Sequence, residues 1–204
     1  MSLSPDAAPP APIENEPCNA TLESAETLAL LARRRSTKVV HFAEPGPTPA
    51  QMETLLRLAA RVPDHGKLGP WRFVVIEGAA RARAGQALAG LTADAQGAEI
   101  ARNTFLRAPA CVMVVSCAQP HAKIPEWEQQ LSAGAACFAL LVAAHAMGFG
   151  GCWLTGWPCY DERARAALGL APHERIAGFI HLGTPAETPT ERVRPDWRKH
   201  VSHY

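Results

Sequence analysis

The sequence predicts an α+β fold in which one mixed sheet packs with helices around a long, buried central helix. Apolar segments of strand length, such as Ala110–Ser116, alternate irregularly with longer stretches of helical spacing. Residues 126–147 are predicted as one long helix that from Ser132 on is nearly all Ala, Gly, Cys, Leu, Val and Phe, and a helix that is apolar on every side is a buried one. A hydrophobic fraction of 48% and a charged fraction of 19% over 204 residues fit a single compact domain.

In the first half of the chain, residues 1–20 contain five prolines and no apolar pattern, which predicts a flexible tail before a domain spanning 21–204. A first helix is expected at 24–34. Thr48 is the predicted N-cap of a helix at 49–61, and Gln51 completes a capping box. Two prolines and two glycines keep 62–70 irregular, and a strand follows at 72–78.

In the second half, a looser helix-rich stretch covers 81–103. The strand that follows at Ala110–Ser116 is apolar on both faces, which predicts a central position in the sheet. Gly148 ends the long helix. The remaining predicted elements are an extended piece at 150–156, a short helix at 161–168 and a strand at 176–183.

Charge and cysteine content exclude several classes of function. A net charge of +1 gives no global field that would attract nucleic acid. The start of the chain has no secretory apolar core, and no apolar run is both long and lipid-like enough to span a membrane, so we expect a cytoplasmic protein without a membrane partner. The six cysteines have no metal-ligand spacing, which predicts reduced thiols and no metal site.

A basic segment follows the first predicted helix and contains Arg34, Arg35, Ser36 and Lys38. Charge-assisted donors close to hydroxyl donors are what a phosphate group requires. Taken alone, the pattern favours a solvated basic helix end over a phosphate site.

The irregular stretch at 61–71 places Arg61, His65 and Lys67 on a rigid loop, where ligand contacts concentrate. The alternative is a plain connection in which Asp64 or His65 bonds the local backbone. The glycines at 148–151 follow a helix rather than a strand, so they are not a dinucleotide fingerprint. They suit close approach of the backbone to a flat ligand.

In order and spacing, these segments resemble the nitroreductase family over residues 24 to 185, in particular its compact single-domain bacterial branch. The matching runs are RRSTK at 34–38, EP at 44–45, RVPDH at 61–65, PWRFVVIEG at 70–78, RAP at 107–109, WEQ at 127–129, GFGG at 148–151 and LGTP at 182–185. Each run alone is weak, and their combination carries the resemblance.

The resemblance implies a homodimer that binds FMN at the subunit interface. NADH or NADPH would reduce the flavin, and a nitroaromatic, quinone or similar small electrophile would then take the electrons in a ping-pong reaction through flavin N5. No side chain is assigned a proton-transfer role.

The resemblance also assigns the cofactor-binding residues. Arg34, Arg35 and Ser36 would bind the phosphate and ribityl end, and Lys38 would lie near flavin N1 and O2. From the loop, Arg61 and His65 would reach the partner subunit's flavin, and Lys67 is included as a further contact. The remaining assigned residues, Trp153, Leu154 and Thr155, would lie along the ring.

Two departures and several alternatives accompany this assignment. Lys67 and Gly69 stand where many relatives carry Asn and Gln, and Arg192 and Arg194 offer a second pair of basic residues for the phosphate. A specialised relative would carry out reductive dehalogenation or oxygen-dependent breakdown of the flavin. A non-catalytic FMN-binding module is the non-enzyme alternative.

Overall fold

A computed structural model describes residues 10–18 and 21–204. The elements are α1 (Ala25–Arg33), β1 (Phe42–Ala43), α2 (Pro49–Ala59), β2 (Trp71–Glu77), α3 (Ala79–Ala89), α4 (Ala95–Asn103), β3 (Ala110–Ser116), α5 (Glu126–Ala146), β4 (Gly150–Leu154), α6 (Trp157–Tyr160), α7 (Glu162–Ala167) and β5 (Arg175–Pro185). Short 3-10 turns occur at Val39–His41, His65–Lys67 and Trp197–His200. Residues 1–9 and 19–20 of the predicted tail lie outside the described residues, so the tail and the domain boundary at 21 stay predictions.

The sheet is organised around β5, whose 11 residues pair with β3 along one edge and with β4 and β1 along the other. β2 adds to the far side of β3, and β4 pairs with β5 alone among the described strands. All of these pairings are antiparallel, so the prediction of a mixed sheet is wrong. The strand at β3 is apolar on both faces because helices cover both sides of the sheet, and that pattern does not require parallel neighbours.

Two apolar cores lie on the two sides of the sheet. On one side α2 and α5 contribute Leu55, Leu140 and Ala144 against Val112 and Ile180. On the other side, residues from α3, α4 and α7 pack against alternate positions of β3 and β5. Every residue of β3 is buried, which confirms its predicted central position. The fold is therefore a helix–sheet–helix sandwich.

The central helix α5 is confirmed, but the burial predicted from Ser132 on is incomplete in the single chain, because Phe138 is exposed. Its inner side is buried against the sheet, whereas the outer side leaves Trp127, Leu131 and Phe138 exposed. The smaller helix α1 buries no residue at all. By length and composition α5 is also apolar enough to cross a membrane, yet half of its most apolar window is buried inside the fold, as in the core helix of a sandwich.

The locally encoded features agree with the sequence. Thr48 caps α2, and Gln51 completes the capping box. Ser24 caps α1, and Asp161 caps α7. The short helix α6 was not predicted, because four residues that include a proline carry no helical period.

Candidate functional site

The basic segment, residues 34–38, runs beside the start of β4. The Thr37 N–H donates to the Gly151 carbonyl at 3.1 Å, and Thr37 is buried. A Cβ at Gly150 would stand 2.7 Å from Thr37 Oγ1, so glycine is needed for this close approach. The backbone of the basic segment is therefore fixed to the sheet next to the glycine-rich strand.

A cavity of about 140 Å³ opens between the basic segment and the C-terminal segment, residues 187–204. It is lined by Arg35, Ser36, Thr37, Lys38, His41 and residues 187–190. Arg35 Nε donates to the Thr190 carbonyl at 2.9 Å and lies 3.6 Å from Glu191 Oε1. The C-terminal segment thus forms a second wall opposite three of the predicted cofactor-binding residues.

Arg34 points to a different side from Arg35, over α5. Its guanidinium carbon lies 5.9 Å from the centroid of the Phe138 ring. Arg34 Nε is buried and has no hydrogen-bond partner among the described residues. Arg194 Nη2 donates to the Arg34 carbonyl at 3.5 Å, so a residue of the C-terminal segment contacts this part of the site as well. A buried cationic donor without an acceptor is suited to an anionic ligand.

His145 lies close to Arg34, on the last turn of α5. Both of its ring nitrogens are buried and neither makes a well-formed hydrogen bond within the described residues, although the ring interacts with the Gly151 backbone. Burial, followed by the charge of Arg34, lowers the pKa of His145 below its ordinary value. A neutral imidazole adds no positive charge beside Arg34. From the sequence alone, a histidine within an apolar helix is more often a core or interface residue than a catalytic one, and this interpretation of His145 stays a prediction.

The end of β4 presents Trp153, Leu154 and Thr155 at the exposed edge of the sheet. Trp153 Nε1 donates to the Ala177 carbonyl at 3.1 Å, and its indole lies over Gly178, where a Cβ would collide with the ring. These three residues and the basic segment lie at opposite ends of the same short strand. A single chain therefore brings together seven of the ten predicted cofactor-binding residues along β4.

The other three residues, Arg61, His65 and Lys67, are exposed on a loop that packs against the start of α5. His65 Nδ1 lies 2.7 Å from Glu128 Oε2, and Ser132 Oγ donates to the Pro63 carbonyl at 2.7 Å. The loop is thereby fixed to α5 rather than to the basic segment, and its contact with a partner subunit's flavin stays a prediction.

The same loop is held by its own carboxylate. Asp64 accepts from the N–H groups of Leu68 and Gly69 at 3.1 and 2.8 Å, which confirms the local role considered for Asp64. Lys67 has a left-handed backbone with φ +56°, a conformation that L residues adopt infrequently. The two positions that differ from many relatives therefore lie in a tightly bonded turn.

One part of the surface was not predicted from the sequence. A cleft of about 450 Å³ lies between the first half of α5 and the sheet, and we call it the Trp153 cleft. Its lining residues are Ser116, Ala118, Glu126, Gln130, Gly134, Trp153, His173, Arg175 and Ala177. They come from four separate parts of the chain, so no continuous sequence motif predicts the cleft.

Comparison with known sequences agrees with the resemblance to the nitroreductase family. A model described as the nitroreductase family matches residues 31–184. A protein of Escherichia coli strain K12 with the provisional name NAD(P)H nitroreductase YdjA is 40% identical over 184 residues, which are 88% of this chain and 100% of that protein. A provisionally named NAD(P)H nitroreductase of Haemophilus influenzae is 34% identical over 174 residues, covering 83% of this chain and 94% of its own.

Solved structures agree on the fold. A nitroreductase-like family protein from Bacillus cereus superposes with a TM-score of 0.80 at 21% identity, covering 91% of this chain and 99% of its own. A nitroreductase-type protein from Desulfovibrio desulfuricans, solved in complex with FMN, superposes with a TM-score of 0.69 at 23% identity, covering 89% and 99% of the two chains.

Proposed function

This chain belongs to the nitroreductase family, and from that membership and the geometry along β4 we propose that it is an FMN-dependent oxidoreductase. It would use NADH or NADPH to reduce nitroaromatics, quinones or similar small electrophiles in a ping-pong reaction. The names of the relatives and the FMN complex of a structural neighbour support the cofactor and the reductant.

The observation that carries the proposal is the unsatisfied cationic site beside the start of β4. Arg34 Nε is buried and has no acceptor in the part of the chain that the structure describes, and Arg35, Ser36 and Lys38 line an adjacent cavity. Such a set of charge-assisted and hydroxyl donors fits a phosphate monoester. Arg35 and Ser36 would hold the phosphate end of FMN in the cavity, which the C-terminal segment closes. Arg34 does not line this cavity, and it would contact the phosphate or ribityl end from the α5 side.

The ring of the cofactor would lie along the exposed end of β4, beside Trp153, Leu154 and Thr155. When bound, FMN accepts a hydride from the nicotinamide at N5 and passes two electrons to the acceptor. Lys38 lines the same cavity, and its ammonium would stabilise negative charge on the pyrimidine end of the ring. The chain's own contribution is therefore orientation and electrostatics.

A homodimer would complete the site. The exposed outer side of α5, with Trp127, Leu131 and Phe138, joins the region of α1, which buries nothing in the single chain. Apolar side chains on adjacent helices are typical of a subunit interface. A second copy on this face would bring its Arg61, His65 and Lys67 toward the flavin, because the loop that carries them is attached to α5.

The experiment that tests the function begins with the spectrum of the purified protein. We expect a yellow protein with flavin absorbance, released as FMN, which bleaches when NADH or NADPH is added without oxygen and recovers when a nitroaromatic or quinone is supplied. A colourless protein that does not bind added FMN contradicts the proposal. Bound FMN that neither nicotinamide reduces in stopped flow would identify a non-catalytic binding module.

Two further measurements separate the specialised enzymes and test the dimer. Consumption of FMN in air, or halide release from a halogenated aromatic without nitro reduction, would favour flavin breakdown or dehalogenation. Light scattering should give a dimer. Leu131→Glu on α5 should give a monomer with weakened FMN binding, whereas Ile100→Glu, at an equally exposed position of α4 (both 54%), should remain a dimer.

A further inference from the structure

We propose that the Trp153 cleft binds the carboxylate of an aromatic electron acceptor, so that the enzyme prefers aromatic monocarboxylates over neutral aromatics of the same shape. This inference deepens the proposed function and rests on it. It assigns the cleft to the substrate, next to the strand end where we place the flavin.

The cleft begins at the end of β3, where the side chains that face α5 change from apolar to polar. Ala110, Val112 and Val114 face α5 and belong to its apolar core, and the next residue on that face is Ser116. Ser116 is 6% exposed, and its hydroxyl has no hydrogen-bond partner among the described residues. A buried hydroxyl without a partner costs stability unless a water or ligand bonds it. Ser116 lines the cleft, so a ligand in the cleft is the partner that we propose for its hydroxyl.

A β-bulge shapes the floor. The register between β3 and β5 shifts at Val114 and Val115, and this leaves Ala177 between the paired residues Ile176 and Gly178. The Ala177 carbonyl accepts from Trp153 Nε1, and Gly178 leaves room for the indole. Trp153 is thereby held by its polar edge, and its ring forms an apolar wall of the cleft. An aromatic ring held in this way offers a stacking surface for a second aromatic ring.

The charged groups of the cleft are arranged on two sides. Arg175 pairs with Ser116 in the sheet register, and His173 lies on the same side of the cleft. Glu126 and Gln130 lie on the opposite side, on α5. Arg175 Nη1 donates to the carbonyls of Pro172 and Glu174, which fixes its guanidinium at this place. A carboxylate would bond Arg175 and Ser116, and Glu126 would repel a second negative charge. The cleft therefore favours a monocarboxylate over a dicarboxylate.

The cleft lies next to the end of β4, where we place the flavin ring. Trp153 lines the cleft, and the next two residues, Leu154 and Thr155, are those we place along the flavin ring. An acceptor whose carboxylate lies against Arg175 would extend across Trp153 and direct its far end toward the strand end. A nitro group para to the carboxylate suits this arrangement.

Binding of benzoate and of benzamide to the FMN-loaded protein tests the inference without turnover. The two ligands have nearly the same shape, and the flavin reduces neither. We expect benzoate to bind about tenfold more tightly by calorimetry, as loss of one charge-assisted hydrogen bond would predict. Arg175→Gln should remove this preference, and Ser116→Ala should weaken benzoate about threefold. Arg83→Gln, an exposed position on α3 on the other side of the sheet, should change nothing.

Filling the cleft provides a second variant. A Cβ at Gly134 would have no heavy atom within 4 Å, so a longer side chain can enter the cleft from α5. Gly134→Leu should abolish benzoate binding. Because Gly134 lies three residues after Leu131 and four before Phe138, on the side of α5 proposed for the dimer, light scattering and FMN content are measured on the same sample, and both should match the unmodified protein. With 4-nitrobenzoate, KM should rise at least tenfold in Arg175→Gln and in Gly134→Leu, whereas KM for 4-nitrobenzamide should change little in Arg175→Gln.

The possible failures are distinguishable. Benzoate that does not bind, or that binds equally well to Arg175→Gln and Gly134→Leu, overturns the cleft assignment even if the flavin turns over normally. Benzoate that binds through Arg175 to a protein whose flavin NAD(P)H does not reduce contradicts the oxidoreductase function and, with it, the acceptor role of the cleft. Equal KM values for the acid and the amide in the unmodified enzyme also overturn the preference.

Discussion

The two ends of β4 differ in how they are built and in what they can bind. At the start, a backbone hydrogen bond from Thr37 to Gly151 fixes a run of adjacent cationic and hydroxyl residues beside the strand. At the end, Trp153 stands over a bulge, and the neighbouring cleft draws on α5, β3 and the start of β5. The first end offers concentrated positive charge, and the second offers an aromatic surface with mixed charges. Under the proposed function, the start of β4 would hold the phosphate of FMN and its end would select among electron acceptors, so five residues of strand would separate the two roles.

The strongest test of the first end is the buried guanidinium of Arg34. Arg34→Ala should weaken FMN binding about 100-fold, since a charge-assisted hydrogen bond to a buried donor contributes on the order of 3 kcal/mol. Titration of apo-protein with FMN, followed by quenching of flavin fluorescence, measures the change.

Arg33→Ala is the matched control for that variant. Arg33 belongs to the same run of arginines, but it is exposed in the last turn of α1, whereas Arg34 is half-buried and its Nε is buried. Its loss should change FMN affinity less than about twofold, as for an exposed charge. Equal losses in the two variants would mean that the segment attracts FMN only through its overall charge.

The middle of β4 lies beside a buried histidine of β5, and the contribution of this histidine to stability can be measured. His181 on β5 pairs in register with Cys152 on β4 and with Cys111 on β3, and its ring stacks on Phe105 with centroids 6.3 Å apart. Burial, and secondarily the charge of Arg107, lowers the pKa of His181 to about 4. The folded protein therefore holds this imidazole neutral, whereas the unfolded chain titrates near its ordinary value of about 6.5.

The sign of the pH effect follows from proton uptake on unfolding. Between pH 6.5 and 4 the unfolded chain binds a proton at His181 that the folded state does not, so the free energy of unfolding rises with pH in this window. The contribution is complete above pH 6.5 and is lost as the pH falls toward 4, with a total on the order of 3 kcal/mol. Urea unfolding of the unmodified protein and of His181→Leu at several pH values measures it, and the variant should have a flatter profile. His145 adds a change of the same sign in both proteins, because its pKa is also lowered.

Sequence reasoning was successful where the determining contacts are between near neighbours in the chain. The capping box of Thr48 and Gln51 and the limits of β3 depend on adjacent residues, and the structure reproduces them. The part of the cavity lining at 35–38 belongs to the contiguous basic segment that the sequence singled out, whereas His41 and residues 187–190 of the same cavity were not predicted.

The Trp153 cleft was not predictable in the same way. Ser116 and Arg175 are 59 positions apart in the numbering, and they meet only after β3 and β5 pair. The bulge at Ala177 depends on that pairing and has no signature in the local sequence. The outer side of α5 was misjudged for a related reason, since composition shows that a helix is apolar but not how much of it one chain can cover.

Lys38 gives a smaller effect and separates anchoring from reactivity at the first end. Lys38→Ala should retain FMN within about threefold but slow its reduction by NAD(P)H about tenfold, because the ammonium stabilises charge that develops in the ring. Anaerobic stopped flow at saturating FMN measures the rate, and fluorescence titration measures the affinity. If FMN affinity fell while the bound flavin was reduced at the normal rate, Lys38 would belong with Arg34 and Arg35 as an anchor.

The smallest expected effect concerns Glu191, whose carboxylate lies beside Arg35 and Arg194. Glu191 Oε1 lies 3.6 Å from Arg35 Nε and 3.1 Å from Arg194 Nε, so a phosphate that bonds Arg35 must compete with this carboxylate. Glu191→Gln should raise FMN affinity about two- to threefold at low salt, because exposed ion pairs contribute little, and the gain should vanish near 0.5 M salt, roughly where screening acts within one ion-pair length. Glu99→Gln, an exposed position on α4, controls for the change in net charge. A loss of affinity in Glu191→Gln would reverse the interpretation, since the carboxylate would then hold Arg35 and Arg194 in place for the phosphate.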